Sequence, residues 1–195
     1  HNPEFTSIEA YHSYMDYFDI MDLIEDMVQK AVTHIHGSTK VQFEDKEIDF
    51  AGPWQRKSMC DLVQEKTGID FLAIETAAEA IEAAKSVGVH VDAKSNWGQV
   101  VAEVFDEKVE ASLIQPIHVT DLPLDISPLA KVHRDNPRLV ERFETFINGW
   151  EIANAFSELN DPKIQLERFE EQVNQREAGD EEAQMLDDDF VAALE

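Results

Sequence analysis

One segment near the start of the chain combines side chains that could form a ligand pocket. Residues 3–14, PEFTSIEAYHSY, alternate in character and are rich in aromatic and β-favouring types, which predicts a β-strand. Alternate side chains of a strand point to the same face, so Phe5, Glu9 and Tyr11 would lie together. That face would present a flat apolar ring, a carboxylate and a phenol, and we take it as a candidate binding surface.

A second segment brings two carboxylates close to each other. The dipeptide Asn148-Gly149 is the strongest short hairpin signal that a sequence offers. Pairing around this turn would place Phe146 opposite Glu151, with Glu144 diagonally across from Glu151 and roughly 6–8 Å away. At about 6 Å and an effective dielectric constant near 20, two such charges repel by roughly 3 kcal/mol. A Mg²⁺ ion, which binds carboxylate and phosphate oxygens, would remove this repulsion, although the spacing alone favours two hydrated glutamates on an exposed face.

The hydrophobic periodicity predicts an α+β fold in which helices pack on an antiparallel sheet. The predicted sheet strands are residues 3–14, 113–120, 139–147 and 150–159, and a short strand pair is predicted within 39–50. The predicted helices are 16–35, 56–66, 75–87, 97–108, one that starts at Pro162, and one in the acidic tail from Asp180. We expect the helices within about 56–110 to form an insertion between parts of the sheet.

The composition limits the classes of function. The 195 residues carry a formal net charge of -25, which repels phosphate backbones and argues against strong nonspecific nucleic-acid binding. No apolar run approaches the roughly 20 residues that a membrane helix needs, so we expect no membrane contact. The only cysteine, Cys60, cannot form an internal disulfide, which favours a reducing, cytoplasmic location.

Four stretches closely resemble class II lysyl-tRNA synthetases of the bacterial type. HNPEFTSIE at 1–9 resembles the second half of motif 2, and GPWQRKSM at 52–59 resembles the segment before a helical insertion. LDISPLAK at 124–131 and EIANAFSELND at 151–161 resemble two further signatures, in the same order. The resemblance covers essentially the whole chain and implies the antiparallel sheet of class II aminoacyl-tRNA synthetases. It also implies ATP-dependent activation of lysine to lysyl-adenylate, then transfer to tRNA(Lys), by a cytoplasmic homodimer that uses Mg²⁺ with ATP.

The resemblance also implies roles for individual residues. The residues expected at ATP are His1, Asn2, Phe5, Glu144 and Glu151, with Phe5 stacked on adenine and both glutamates holding the Mg²⁺. The residues expected at lysine are Glu9, Tyr11, Asn154, Phe156 and Glu158, with Tyr11 and Glu158 at the side-chain ammonium. Strict alternation would put Glu151 on the face opposite Asn154, Phe156 and Glu158. A bulge between Glu151 and Asn154, near the small Ala153, would reconcile the two arguments because one extra residue reverses the alternation.

By the same resemblance, residues 1–195 are expected to be part of a catalytic domain, from within motif 2 to just before motif 3. The arginines of those motifs would lie outside the chain, so no catalytic residue is assigned and the chain alone is expected to be inactive. Two alternatives stay open: a paralogue that attaches lysine to a protein, such as the elongation factor P ligases, and a noncatalytic binding module. The unbroken SELND sequence and the long helical segment after WQRKSM favour the tRNA enzyme.

Overall fold

The first helix forms where capping residues and apolar periodicity agree. In the computed structural model, which describes residues 4–177 and 185–195, helix α1 spans Tyr17–His36. Asp16 closes a capping box at its start, and Gly37 ends it in the left-handed conformation. The buried side chains of Tyr17 and Met21 pack on Phe143 of the sheet. Helix α1 therefore covers one face of the sheet.

Six strands form two sheets. Strands β1 (Lys40–Phe43) and β2 (Lys46–Asp49) make a separate antiparallel pair, as predicted. The main sheet contains β3 (Gln55–Ser58), β4 (Ile117–Thr120), β5 (Arg142–Ile147) and β6 (Trp150–Phe156), in that spatial order. The β4–β5 and β5–β6 pairs are antiparallel, and the α+β class is confirmed.

The prediction of a wholly antiparallel sheet is wrong at one strand. Residues 55–58 pair parallel with β4, where the sequence had predicted the start of a helix. Parallel strands need a long crossover connection, and the helical segment between residues 59 and 112 supplies it. QRKS has no apolar alternation of its own, so only its partner strand reveals it as a strand.

The predicted strand over 3–14 is also wrong for the residues described, 4–14. None of these residues belongs to a strand, and a turn occupies Ser13 and Tyr14. A strand needs a neighbour to bond its backbone N–H and C=O groups, and the described residues 4–14 pair with no strand of either sheet. The other predicted strands are shorter than expected, because residues 113–116, 139–141 and 157–159 make loop contacts or isolated bridges.

The helical segment packs directly on the sheet. It contains α2 (Met59–Thr67), α3 (Ala77–Ser86) and α4 (Trp97–Lys108), followed by a 3₁₀ turn at Glu110–Ser112. Capping boxes at Thr76 and Asn96 start α3 and α4, and the predicted bounds of α4 are confirmed. Apolar side chains of all three helices share one continuous core with Val119 and Phe146 of the sheet. The sheet is thus covered on both faces.

The C-terminal part supplies two helices. Helix α5 spans Pro162–Glu177, and the Asp161 side chain accepts hydrogen bonds from the amides of Lys163 and Ile164. Helix α6 spans Asp188–Leu194, so the prediction for the acidic tail is confirmed there, while 178–184 lie outside the described residues. Within the described residues, we find no helix both long and apolar enough to cross a bilayer.

Candidate active site

The β5–β6 hairpin carries the two predicted metal ligands, and the rest of the fold holds its turn. Asn148 and Gly149 have φ of 57° and 72°, the left-handed values that a tight hairpin turn requires. Their amides donate to the carbonyls of Ile114 and Leu113 at 3.0 and 2.8 Å. A Cβ on Gly149 would lie 3.3 Å from the Cα of Ala111, so the turn sits directly against the helical segment.

The predicted β-bulge is present in β6. Glu151 pairs with Phe146 as expected, but the next pair is Ala153 with Thr145, which leaves Ile152 as the extra residue. The bulge is therefore at Ile152 rather than at Ala153. Thr145 is fully buried on the α1 side, where the small Ala153 fits opposite it, whereas Ile152 is 44% exposed at the sheet edge.

The bulge puts the candidate residues of the hairpin on one face. Asn154 pairs directly with Glu144, and Phe156 pairs with Arg142. Because Glu151 pairs with Phe146, two residues from Glu144 on the same strand, its backbone position faces the same side. The structure thus unites the metal-binding and lysine-binding candidates of this hairpin.

Arg142 connects these groups, although the sequence analysis did not single it out. Its Nη2 donates to Glu144 Oε1 at 2.7 Å, and its Nε donates to Asn154 Oδ1 at 3.1 Å. Its Nη1 donates to the Ile126 carbonyl and to Ser127 Oγ, both at 3.0 Å. Alternation could have found it, because Arg142 stands two residues before Glu144 and so shares its face.

The carboxylates on this face carry negative charge that Arg142 only partly balances. The pKa of Glu144 is raised to about 7: burial is the largest cause, Arg142 opposes it, and nearby Glu151 and Asp106 add to the increase. Burial also raises the pKa of Glu151 and, together with Glu110, raises that of Asp106 to about 6. Asp106 belongs to α4 and is far from Glu144 along the chain, so no local sequence pattern could have predicted that the two carboxylates interact. The arrangement favours a cation or protons beside Glu144.

The remaining lysine-binding candidates lie where β6 ends. Phe156 is half-buried and packs against the main core, whereas Glu158 is exposed and makes an isolated bridge with Ala130. The Lys131 amide donates to Ser157 O at 2.8 Å, and the Leu159 amide donates to Leu129 O at 3.0 Å. These bonds tie the two signature segments, 124–131 and 151–161, to each other.

The N-terminal candidates are not brought to the hairpin. Phe5 and Tyr11 are 83% and 80% exposed, and Glu9 is exposed on the same unpaired segment. The expectation that these three residues share the ATP and lysine sites with the hairpin is therefore not met by their positions. His1 and Asn2 lie outside the described residues.

No ready-formed metal site is found among the described residues, and the hairpin carboxylates line no part of the cavity at β3 and β4. Among residues 4–177 and 185–195, no group of at least three His, Cys, Asp or Glu side chains forms a ready-made metal site. A cavity of about 450 Å³ lies at the ends of β3 and β4, and no carboxylate of the hairpin lines it. The cations in that cavity, Arg56 and Lys57, are already paired with Asp22 and Glu65. We assign no function to the cavity.

Known proteins resemble this chain along its whole length. Residues 1–195 match the family described as tRNA synthetases class II (D, K and N). The lysine–tRNA ligase of Sinorhizobium medicae (strain WSM419) is 52% identical over 195 residues, and those of Rhizobium meliloti (strain 1021) and Thermoanaerobacter sp. (strain X514) are 51% identical. Each comparison covers 100% of this chain and 39% of the relative, so the chain spans 39% of the length of these relatives. The resemblance found in the sequence motifs is confirmed, and the chain belongs to the class II tRNA synthetase family of the D, K and N type.

Proposed function

We propose that the protein containing this chain is a lysine–tRNA ligase, which activates lysine with ATP to lysyl-adenylate and transfers it to tRNA(Lys). The observation that carries the proposal is the single face of the β5–β6 hairpin that unites Glu144, Glu151 and Asn154. The 52% identity to a protein named lysine–tRNA ligase supports the choice of lysine among the amino acids that this family uses.

The lysine site in this proposal uses acidic and polar groups. Glu158 and Tyr11 bind the side-chain ammonium, and Glu9 and Phe156 line the same site. Arg142 donates a hydrogen bond to Oδ1 of Asn154, which leaves the Nδ2 donors of Asn154 for a ligand in this proposal. Such donors suit a carboxylate oxygen of the amino acid. For Glu9 and Tyr11 to take part, the segment 4–14 must move from its exposed position toward the hairpin.

The ATP site in this proposal includes a Mg²⁺ ion held by Glu144 and Glu151. The donor set fits this ion, because Mg²⁺ uses hard oxygen ligands and takes one or two carboxylates beside phosphate oxygens. The raised pKa of Glu144 supports the fit, since its cause includes the uncompensated charges of Glu151 and Asp106. The bound ion would neutralise phosphate charge. Phe5 stacks on adenine in this proposal, with His1 and Asn2 beside the nucleotide.

The wider assignments are part of the same proposal. Residues 1–195 form part of a catalytic domain with a helical insertion over about 56–110, in a protein that acts as a cytoplasmic homodimer. The buried, unpaired thiol of Cys60 agrees with a reducing compartment. No catalytic residue is assigned within residues 1–195. Positioning and charge neutralisation can supply most of the rate when the lysine carboxylate attacks the α-phosphorus of ATP and pyrophosphate leaves.

Lysine-dependent pyrophosphate exchange by the full-length protein tests the proposal. We expect exchange with lysine but not with aspartate or asparagine, and we expect Glu144→Gln to reduce it by about 10²-fold, the effect of losing one preorganised charged group. Glu170→Gln, an exposed carboxylate of α5, serves as the matched control and should leave the rate unchanged. Transfer of lysine to tRNA supports the ligase, transfer to a protein instead supports the paralogue, and a full-length protein without lysine-dependent exchange contradicts both.

A further inference from the structure

All three guanidinium nitrogens of Arg142 donate hydrogen bonds, and these bonds connect three parts of the molecule. Its Nε and Nη2 hold Asn154 of β6 and Glu144 of β5, and its Nη1 holds the loop at Ile126 and Ser127. Only 17% of its side chain is exposed, and the Glu144 side chain is exposed to 14%. The bonds to Glu144, Ile126 and Ser127 are thus partly shielded from water, which makes their geometry more restrictive than that of a surface ion pair, whereas Asn154 itself is exposed.

The loop that receives Nη1 is itself held from the other side. The Nε2 of Gln165 in α5 donates to the Pro128 carbonyl at 3.1 Å, and Nη1 of Arg168 donates to the Ala130 carbonyl. Gln165 and Arg168 are both buried. The loop 126–130 is therefore held in place by α5. The orientation of the Arg142 guanidinium group depends on this loop as well as on the hairpin.

We propose that Arg142 is a positioning residue that fixes Asn154 and Glu144 relative to each other, so that lysine binding and the binding of the phosphate-associated cation are coupled. This inference rests on the proposed function, because it takes Asn154 as a lysine-binding group and Glu144 as a metal ligand. A lysine side chain cannot replace the arginine, since an ammonium group is a single point charge and the guanidinium is a planar fork with five donors.

A purely structural role makes a different prediction. If Arg142 only held the loop, its replacement would lower the fraction of folded protein and leave the affinity of the folded fraction for lysine unchanged. A positioning role instead changes the affinity itself. Lysine affinity, measured apart from turnover, therefore separates the two.

The experiment uses the full-length protein and the variants Arg142→Lys and Ser127→Ala. Ser127→Ala removes the hydrogen bond from Arg142 Nη1 to Ser127 Oγ and leaves no unpaired charge in the site. The matched control is Arg134→Gln, since Arg134 pairs with the buried carboxylate of Glu141 at 2.8 Å, outside the hairpin face. Lysine dissociation constants are measured by calorimetry without ATP or metal, and the lysine KM, the kcat and the Mg²⁺ concentration for half-maximal exchange are measured separately.

We expect Arg142→Lys to weaken lysine binding about 10–100-fold and to raise the Mg²⁺ requirement, the range typical of groups that orient a binding side chain. Ser127→Ala should weaken lysine binding about 3–10-fold, as expected for one hydrogen bond. In an Asn154→Ala background, the effect of Arg142→Lys on lysine affinity should largely disappear, because the two residues act through one contact.

Three results would overturn the positioning role in an active protein. They are an unchanged lysine affinity in both Arg142→Lys and Ser127→Ala, an equal loss in Arg134→Gln, and an undiminished effect of Arg142→Lys in the Asn154→Ala background. A wild-type protein that neither binds lysine nor catalyses lysine-dependent exchange would overturn the proposed function instead, so the two failures are distinguishable.

Discussion

The β5–β6 hairpin and the segment 4–14 both carry residues assigned to the site, yet only the hairpin is held by the rest of the molecule. Phe146 in the hairpin is 2% exposed, whereas Phe5 in the segment is 83% exposed. The hairpin pairs with β4 and its turn bonds to residues 113 and 114, but none of the described residues 4–14 belongs to a strand. Alternating side chains are therefore not sufficient to form a strand.

The difference follows from how each segment can find a partner. The Asn148-Gly149 turn closes the hairpin over two residues, so the loop-closure entropy that opposes pairing is small. Residues 4–14 contain no such two-residue hairpin turn, so a strand there would need a partner from outside the segment. The hairpin is thus formed and packed, whereas the segment 4–14 would have to move to take part in the proposed site.

The largest expected effect is the loss of the hairpin's core contact. Phe146→Ala should lower the free energy of unfolding by about 3–5 kcal/mol, because it leaves a cavity where the ring packs edge-on against Phe105. Urea denaturation of the wild type and the variant measures the change. A loss below about 1 kcal/mol, the range of an ordinary substitution, would mean that the hairpin is no better packed than the N-terminal segment.

The next effect concerns pH, and it tests whether the hairpin carries unbalanced charge. Burial and neighbouring carboxylates raise the pKa of Glu144 to about 7, so the folded protein holds a proton that the unfolded chain has already released near its ordinary pKa. The contribution of Glu144 to stability is complete below the unfolded pKa of about 4.5 and is lost as the pH rises through 7, on the order of 2–3 kcal/mol.

Stability should therefore fall between pH 5 and pH 8, and Glu144→Gln should show a smaller fall than the wild type in urea denaturation at several pH values. Asp106, with a pKa raised to about 6, keeps part of the slope. Glu170→Gln is the control and should follow the wild type. Equal slopes in the wild type and Glu144→Gln would show that Glu144 is fully ionised in the fold at neutral pH.

A smaller effect tests how the turn is held. Gly149→Ala should cost about 1–2 kcal/mol, because a left-handed backbone is unfavourable for alanine and its Cβ would press on Ala111. Gly37→Ala is the matched control: Gly37 has the same left-handed conformation with nothing within 4 Å of an added Cβ. Calorimetric melting should show the larger loss at Gly149. Equal losses would mean that the contact with the helical segment contributes nothing to the turn.

The smallest effect on stability is expected in the segment 4–14. Phe5→Ala and Tyr11→Phe should change the free energy of unfolding by less than about 0.5 kcal/mol, as exposed side chains do. In the full-length protein, Tyr11→Phe should nevertheless weaken lysine binding in calorimetry, because the proposed site uses its hydroxyl. A loss of stability without a loss of lysine affinity would reverse the comparison between the two regions.

The sequence by itself determined the features that depend on neighbouring residues. The helical pattern over residues 97–108 placed α4, and Asn148-Gly149 placed the hairpin turn. The conflict between alternation and the implied roles of Glu151 and Asn154 also predicted a bulge. Local backbone preferences decide the helix and the turn, so a short window of sequence contains the necessary information for these two, whereas the bulge was predicted from the roles that the resemblance implies.

Only the tertiary structure decided the features that depend on distant partners. The strand 55–58 is defined by its parallel pairing with β4, and the extra residue of the bulge is Ile152, with Ala153 opposite the buried Thr145. Asp106 of α4 helps to raise the pKa of Glu144, and Arg142 donates a hydrogen bond to the Ile126 carbonyl. Side-chain packing and hydrogen bonding between residues far apart in the chain set these positions, and periodicity along one segment does not specify its neighbours.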